Sequence, residues 1–262
     1  MRAVILAGGL ITGLEEQEKA FLTIENRPMI DYVLQALAGV QAIDEQIIVG
    51  PRNIESWVKQ QGNMRLRVIQ ARERLMENVL LGVEQAEHED ELILLTTCDI
   101  PFLTTEAVND FLERCGMDAS VDFYYPIIRK EDTEREFPRM KRTYVKLREG
   151  VFTGGNLFLV RPAVIKRVAN RVEEILRNRK SPLKISAELG WSFTCRLLLS
   201  QVYGFLRLAQ LEQRFSELFD IRAKAIISPY PQIGTDVDKH SDLLLARKMM
   251  SQSLASNTKE MV

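Results

Sequence analysis

The chain has 262 residues, of which 46% are hydrophobic and 27% are charged, with 35 basic against 36 acidic side chains. This is the composition of an ordinary soluble globular protein, and the balanced charge excludes a general attraction to nucleic acid or to an anionic membrane. Three scattered cysteines and two histidines indicate neither a disulfide framework nor a zinc site. The N-terminus has no signal-peptide pattern and no apolar run is long enough to span a bilayer, so we expect a cytoplasmic protein.

Short apolar runs alternate with helical patterns in the first hundred residues. Strands buried on both faces are predicted at 3–8, 46–51, 66–71 and 91–99. Amphipathic patterns that begin at Pro28, Asn53 and Met76 predict the helices between them. This alternation indicates right-handed βαβ units, and therefore an α/β fold with a mostly parallel sheet flanked by helices. Ligands of such sheets bind beyond the carboxyl ends of the strands, where Gly8 and Asp99 both lie.

The second half of the chain begins with strand patterns and then becomes helical. Strands are predicted within 119–130, 142–150 and 153–162, with a charged loop between the first two. We interpret the helical patterns at about 163–219 as an insertion in a single domain that spans 1–262. A strand, a proline-bearing turn, an acidic cluster at 235–238 and a last helix follow, and we expect the polar tail at 252–262 to be frayed.

Four motifs follow one another at the predicted strand ends. They are "AVILAGG" (3–9), Lys19 ahead of "AFLTIENRPMIDYVLQAL" (20–37), "CDIPFLT" (98–104) and "TDVDKHSDL" (235–243). Their order resembles that of the MobA-like NTP transferases of the nucleotidyltransferase superfamily. The resemblance implies a three-layer, Rossmann-like (GT-A-like) fold. It also implies Mg²⁺-dependent transfer of NMP from an NTP to a small phosphorylated acceptor, with release of pyrophosphate.

The first two motifs supply the nucleotide-binding residues that the resemblance implies. These are Leu6, Ala7, Gly8, Gly9, Lys19 and Asn78. Gly8 and Gly9 have no side chain to block a ligand, so their N–H groups can face phosphate oxygens or a base edge. A tight turn without a ligand is the alternative. Lys19 resembles the family lysine that contacts the phosphates, and we assign it a catalytic role.

The last two motifs supply the metal ligands. Asp99, also predicted to be catalytic, is a hard oxygen ligand suited to Mg²⁺. The alternative is an aspartate that begins a turn before Pro101. Asp238 resembles the second metal position of the family. Capping of the last helix is the competing explanation, and it suits Ser241 or Asp242 better than Asp238.

One departure from the family pattern lies between Gly9 and Lys19. Relatives commonly carry an arginine there, but residues 10 to 18 of this chain include no basic side chain. Arg72 or Arg74 replaces it, or the triphosphate is held less tightly, or the site has lost the chemistry. Two other functions stay open: a GT-A-type glycosyltransferase with the D-x-D pattern at 236–238, and a non-catalytic nucleotide-binding regulatory protein.

The acceptor is expected to lie against the second group of strands. Its predicted binding residues are Gly154, Gly155 and Asn156, in a turn where glycine lets the backbone approach a ligand or simply makes a tight turn. Positive charge for a phosphate group is available from Arg129, Lys141 and Arg142, which otherwise form a solvated surface.

The helical pattern at 181–219 has more large apolar residues than one helix face can bury. We favour packing of this segment onto the core. A homodimer interface and an apolar pocket for the acceptor are the alternatives.

Overall fold

The computed structural model describes residues 1–13, 17–61, 66–88, 90–178 and 190–260. Its strands are β1 (Arg2–Leu6), β2 (Thr23–Ile24), β3 (Arg27–Pro28), β4 (Glu45–Gly50), β5 (Leu66–Gln70), β6 (Ile93–Thr97), β7 (Phe123–Arg129), β8 (Val145–Leu147), β9 (Gly150–Gly154), β10 (Leu157–Val160) and β11 (Ala223–Ser228). Its helices are α1 (Met29–Ala38), α2 (Arg52–Gln61), α3 (Leu75–Val83), α4 (Thr105–Cys115), α5 (Lys130–Glu136), α6 (Pro162–Asn178), α7 (Trp191–Tyr203), α8 (Leu208–Phe219) and α9 (His240–Glu260).

Nine of the strands form one mixed sheet in the order β5–β4–β1–β6–β10–β7–β9–β8, with β11 paired to β7. The pairings of β5, β4, β1 and β6 are all parallel. Because β10 is antiparallel to both β6 and β7, the latter two strands run in the same direction, and β11 is parallel to β7. Only β9 and β10 run against the others. The predicted α/β fold with a mostly parallel sheet is therefore confirmed.

Helices cover both faces of the sheet and produce the three predicted layers. Ala3 and Ile5 of β1 belong to the core shared with α1, α2 and α4, whereas Val4 and Leu6 belong to the core shared with α3 and α6. All four side chains are buried. Both faces of β1 are covered by helices, so apolar side chains on either face are removed from water and stabilise the fold. This explains why β1 contains an uninterrupted apolar run.

The charged segment predicted as a loop between two strands contains the helix α5. Ion pairs one turn apart support this helix: Lys130 Nζ lies 3.5 Å from Glu134 Oε1, and Arg135 Nη2 lies 2.8 Å from Asp132 Oδ1. The helix ends before Pro138, because the residue that precedes a proline is disfavoured in the helical conformation. The prediction was wrong because a short charged helix has little hydrophobic periodicity.

The helices α6, α7 and α8 occupy the region of the predicted insertion, of which 179–189 lie outside the described residues. Leu206 is fully buried against the sheet, but Leu198 and Val202 of α7 are each 63% exposed. The expectation that the core buries these apolar side chains is therefore wrong for the outer face of α7. The last helix continues to Glu260, into the stretch predicted to be frayed. The single-domain assignment stays a prediction.

None of the helices in the described part of the chain combines the length and the apolar composition that a bilayer span requires.

Two neighbouring residues after α7 should respond very differently to a charge. Leu206→Glu places an unpaired carboxylate in the core and should cost about 3 kcal/mol or more. Phe205→Glu should cost less than about 1 kcal/mol, because Phe205 is 42% exposed. Urea unfolding of both variants measures the difference, and equal losses would contradict this packing. Light scattering on folded Phe205→Glu also tests the alternative of a homodimer interface: conversion of a dimer to a monomer would support that alternative.

Candidate active site

The predicted glycine turn and Asp99 meet at one edge of the sheet. The strands that precede them, β1 and β6, are parallel neighbours, with Leu6 paired to Thr97. Gly9 has a φ of +111°, a conformation that residues with a side chain rarely adopt. The carbonyl of Gly9 accepts a hydrogen bond from the Lys19 N–H at 3.1 Å, which returns the chain to the sheet edge after the intervening loop. This hydrogen bond thus brings Lys19 to the site.

The Lys19 ammonium lies between two carboxylates. Its Nζ is 2.8 Å from Asp99 Oδ2 and 2.5 Å from Asp238 Oδ1. Burial disfavours the charged form of Lys19, but the negative charges of Asp99 and Asp238 outweigh this effect and raise the pKa of Lys19. Because the pKa is raised, the contribution of these ion pairs to stability is lost only when the pH rises above the ordinary lysine range. Lys19 is therefore a fixed cation at neutral pH, not a base.

Two hydrogen bonds hold Asp99 and connect it to the acidic cluster. The Thr97 hydroxyl donates to Asp99 Oδ1 at 2.6 Å, and the Val237 N–H donates to the Asp99 carbonyl at 2.8 Å. The second bond joins segments that are 138 positions apart in the chain and places Asp238 opposite Asp99. The role of Thr97 was not predicted, although its position two residues before Asp99 was an available signal.

Thr97→Val should lower turnover roughly tenfold while preserving the fold. Valine keeps the shape of threonine and suits a strand, but it removes a hydrogen bond to a charged group, which contributes about 1.5–3 kcal/mol. The measurement is kcat for NTP turnover together with a urea unfolding curve. If both quantities stay at their wild-type values, Thr97 does not position Asp99.

Asp236 and Asp238 have different partners, although only one residue separates them. Arg142 Nη1 donates a hydrogen bond to Asp236 Oδ1, and Asn156 Nδ2 donates to Asp236 Oδ2 at 3.2 Å. Burial raises the pKa of Asp236, and the positive charge of Arg142 opposes this rise. A D-x-D metal site directs both carboxylates to one cation. Here Asp238 contacts Lys19 and Asp236 contacts Arg142, which argues against that use of the pattern.

The oxygens around Lys19 suit a divalent cation. Asp99 and Asp238 already converge on one positive charge, and hard carboxylate oxygens are the ligands that Mg²⁺ prefers. No cluster of three or more His, Cys, Asp or Glu side chains in the described residues is arranged to hold a metal. Protein Mg²⁺ sites commonly use one or two carboxylates and complete the coordination with water and substrate phosphates. The donor set therefore fits Mg²⁺ that arrives with a phosphate-bearing ligand.

Asn78 lies beside the glycine turn, but its amide is already engaged. Its Oδ1 accepts from the Arg72 N–H at 2.6 Å, and its Nδ2 donates to the Arg72 carbonyl at 3.1 Å. These bonds shape the loop before α3, whose Arg72 and Arg74 side chains are exposed. The possibility that Arg72 or Arg74 replaces the family arginine stays a prediction, because that arginine is expected to contact the phosphates of a ligand. The nucleotide-binding role of Asn78 stays a prediction.

The loop between Gly9 and Lys19 is attached to the acidic cluster. The Thr12 N–H donates to the Asp238 carbonyl at 3.1 Å, and the His240 N–H donates to the Thr12 carbonyl at 3.1 Å. Glu18 points away toward α2 and accepts from Asn53 Nδ2 at 2.6 Å. Residues 14–16, which include two of the loop's glutamates, lie outside the described residues.

A polar cleft of about 770 Å³ adjoins the acidic cluster. The predicted acceptor residues Gly154, Gly155 and Asn156 all line it. Its other polar lining residues include Arg139, Lys141, Arg142, Asp236, Asp238 and Lys239. Arg129 takes no part: its guanidinium lies over the Phe152 ring and donates to the Glu149 carbonyl at 3.2 Å. The structure thus brings together the carboxylates and two of the three predicted basic residues.

The comparisons with known proteins place this fold among the nucleotidyltransferases. The family model of the MobA-like NTP transferase domain matches residues 3–182. The chain belongs to this family. Comparison with curated protein sequences finds no match.

Several solved structures are similar to the chain over nearly its whole length. A hypothetical transferase from Thermus thermophilus has 34% sequence identity and a TM-score of 0.77, and the match covers 92% of this chain and 98% of that one. A 4-diphosphocytidyl-2C-methyl-D-erythritol synthase from Anaerococcus prevotii has 14% identity and a TM-score of 0.59, with 95% of each chain covered. A CMP:2-keto-3-deoxy-manno-octonic acid synthetase solved with CTP has 16% identity and a TM-score of 0.61, with 96% and 98% covered. At such low identity the last two show the fold alone.

Proposed function

We propose that this protein is a Mg²⁺-dependent nucleotidyltransferase that transfers an NMP group from an NTP to a small phosphorylated acceptor and releases pyrophosphate. The observation that carries the proposal is the convergence of Asp99 and Asp238 on Lys19, at the edge formed by β1 and β6. Membership of the MobA-like family supports an NTP as the donor substrate.

In the proposed reaction an acceptor phosphate oxygen attacks the α-phosphorus of the NTP. The bond between that phosphorus and the bridging oxygen breaks, and pyrophosphate leaves with the electron pair. Gly8 and Gly9 offer backbone N–H groups to the phosphates, and Lys19 supplies a fixed positive charge. Asp99 and Asp238 would hold Mg²⁺, which neutralises charge on the phosphates during such a displacement. Thr97 keeps the Asp99 carboxylate oriented.

The acceptor would bind in the polar cleft beside the acidic cluster. Gly154, Gly155 and Asn156 line its wall, and Arg142 contributes a guanidinium that can bind a phosphate in a bidentate manner. Arg142 is only 11% exposed and is paired with Asp236, so its planar group is already oriented. Arg139, Lys141 and Lys239 line the same cleft, so its four basic side chains outnumber its three carboxylates, and this balance favours an acceptor that carries a phosphate group.

Three assays separate the proposed function from its alternatives. Thermal shifts with the four NTPs, with and without Mg²⁺, identify the base, and pyrophosphate release with a panel of phosphorylated acceptors tests the transfer. Hydrolysis of an NDP-sugar without pyrophosphate release would favour the glycosyltransferase. Mg²⁺-dependent NTP binding without turnover of any acceptor would favour a regulatory nucleotide-binding protein.

A further inference from the structure

A second cavity, of about 520 Å³, lies between the sheet and the helices α7 and α8. Its lining is almost entirely apolar, with Phe123, Tyr125 and Phe158 on the sheet side and Phe193, Leu197 and Leu211 on the helix side. The volume falls within the range of about 300–1,000 Å³ that is usual for small-molecule sites. Apolar walls of this extent are unfavourable in contact with water, so a ligand that covers them gains binding energy.

The sheet side of this cavity carries a row of stacked aromatic rings. The ring centroids of Tyr125 and Phe158 are 5.7 Å apart, those of Phe158 and Phe123 are 5.9 Å apart, and those of Phe123 and Phe215 are 5.7 Å apart. The row begins at Tyr125, which also lines the polar cleft, and ends at Phe215 on α8. It forms a continuous apolar surface that leads away from the acidic cluster.

The polar cleft and the apolar cavity share part of their walls. Tyr125, Val145, Thr153 and Gly154 line both of them. Gly154 lies under the tyrosine ring, since a Cβ atom at this position would be 1.5 Å from Tyr125 Oη. A side chain at residue 154 would therefore displace Tyr125 at the junction. Close packing of the Tyr125 side chain against residue 154 is a reason for glycine that the sequence analysis did not consider.

We propose that the acceptor is an amphiphilic phosphate monoester: its phosphate binds near Arg142 in the cleft, and its hydrocarbon group enters the apolar cavity beyond Tyr125. The inference rests on the proposed function, because it assigns the acceptor of the same reaction. Two observations support it together, namely the shared walls of the two spaces and their opposite chemistry. The cavity wall also includes three charged residues, Glu212, Arg214 and Lys224, and the Glu212 carboxylate accepts from the Ala225 N–H at 2.6 Å.

The test measures binding of ethyl phosphate and hexyl phosphate to the whole protein by titration calorimetry, without NTP. We expect one hexyl phosphate per chain, with an affinity that rises about fourfold for each added methylene group. Equal affinity for the two esters would overturn the proposal, because the cavity would then be covered by protein or closed to ligands.

Adjacent residues of α7 supply matched variants. Leu197→Trp fills the cavity and should abolish the advantage of hexyl phosphate without changing ethyl phosphate binding, whereas Leu198→Trp, on the exposed face, should bind both esters as the wild type does. Arg142→Met should weaken both esters by a similar factor. If Leu197→Trp fails to fold, Leu211→Trp fills the cavity from α8. A chain-length effect that survives filling of the cavity, or that Leu198→Trp removes, would refute the proposed site.

The proposed function is tested by a separate measurement, which is the binding of NTP with and without Mg²⁺. Mg²⁺-dependent NTP binding involves the edge of β1 and β6, and none of the cavity-lining residues named above belongs to that edge. If the protein binds alkyl phosphates in a chain-length-dependent manner but binds no NTP, the amphiphile site is supported and the nucleotidyltransferase function is refuted. If it turns over NTP with short acceptors alone, the enzyme function is supported and the amphiphilic acceptor is refuted.

Discussion

Asp99→Asn should lower Mg²⁺-dependent NTP turnover by at least about 100-fold, the scale of loss seen when one electrostatic catalytic group is removed. Asparagine keeps the size of aspartate and can still accept the hydrogen bond from Thr97, but it removes the negative charge that pairs with Lys19 and that is proposed to bind Mg²⁺. The cost in unfolding free energy should be only about 1–2 kcal/mol, because Lys19 keeps its second partner, Asp238. Turnover assays and urea unfolding measure the two effects.

The matched control is Asp110→Asn, which removes one carboxylate from the surface ion pair with Arg114 on α4. This variant should keep wild-type turnover, since exposed ion pairs contribute about 0–1 kcal/mol and the pair is remote from the sheet edge. Loss of folding in Asp99→Asn would instead make Asp99 a structural turn residue. A folded Asp99→Asn variant with full turnover would remove Asp99 from the site.

Lys19→Met should weaken NTP binding about 10- to 100-fold and NMP binding much less, because a fixed charge matters most to the ligand with more phosphate charge. The same variant should bind Mg²⁺ alone about tenfold more tightly than the wild type does. In the wild type the ammonium competes with a metal for the oxygens of Asp99 and Asp238, and methionine leaves those oxygens free. Calorimetric titrations with NTP, NMP and MgCl₂ measure the three affinities.

Lys59→Met is the control for this experiment, since Lys59 forms an exposed ion pair with Glu55 on α2. Its affinities for NTP, NMP and Mg²⁺ should equal those of the wild type. Equal weakening of NTP and NMP in Lys19→Met would assign the lysine to the α-phosphate or to packing. Unchanged Mg²⁺ affinity would show that the metal binds away from the two carboxylates.

The sequence correctly predicted the elements whose signals are local. Buried strands with helices on both faces need uninterrupted apolar runs, and β1 and β6 have them. Parallel strands end at a common edge, so the glycines after β1 and Asp99 after β6 were expected to lie close together, as they do. The helix α5 was not predicted because its support comes from ion pairs between charged side chains. A helix of this kind shows little hydrophobic periodicity in the sequence.

Contacts between distant segments of the chain were harder to predict from the sequence. Arg129 and Arg142 are equivalent as basic residues in the sequence, yet only Arg142 lies in the cleft, where it pairs with Asp236. The difference arises because Arg129, at the end of β7, is turned toward β9. There its guanidinium lies over the Phe152 ring and donates a hydrogen bond to the Glu149 carbonyl. The direction of a long side chain depends on its neighbours in space, which a single sequence does not reveal.

The sequence by itself determined the family, the order of the main strands and helices and the residues of the acidic cluster, because these follow from local patterns. Only the tertiary structure decided that Lys19 joins Asp99 to Asp238, and that α7 turns Leu197 toward a cavity and Leu198 toward solvent. A helical wheel shows which residues share a face, but not where the sheet lies. The position of the sheet is fixed by pairings such as that of β7 with β11, 100 residues apart in the chain. These long-range contacts create the cleft and the cavity.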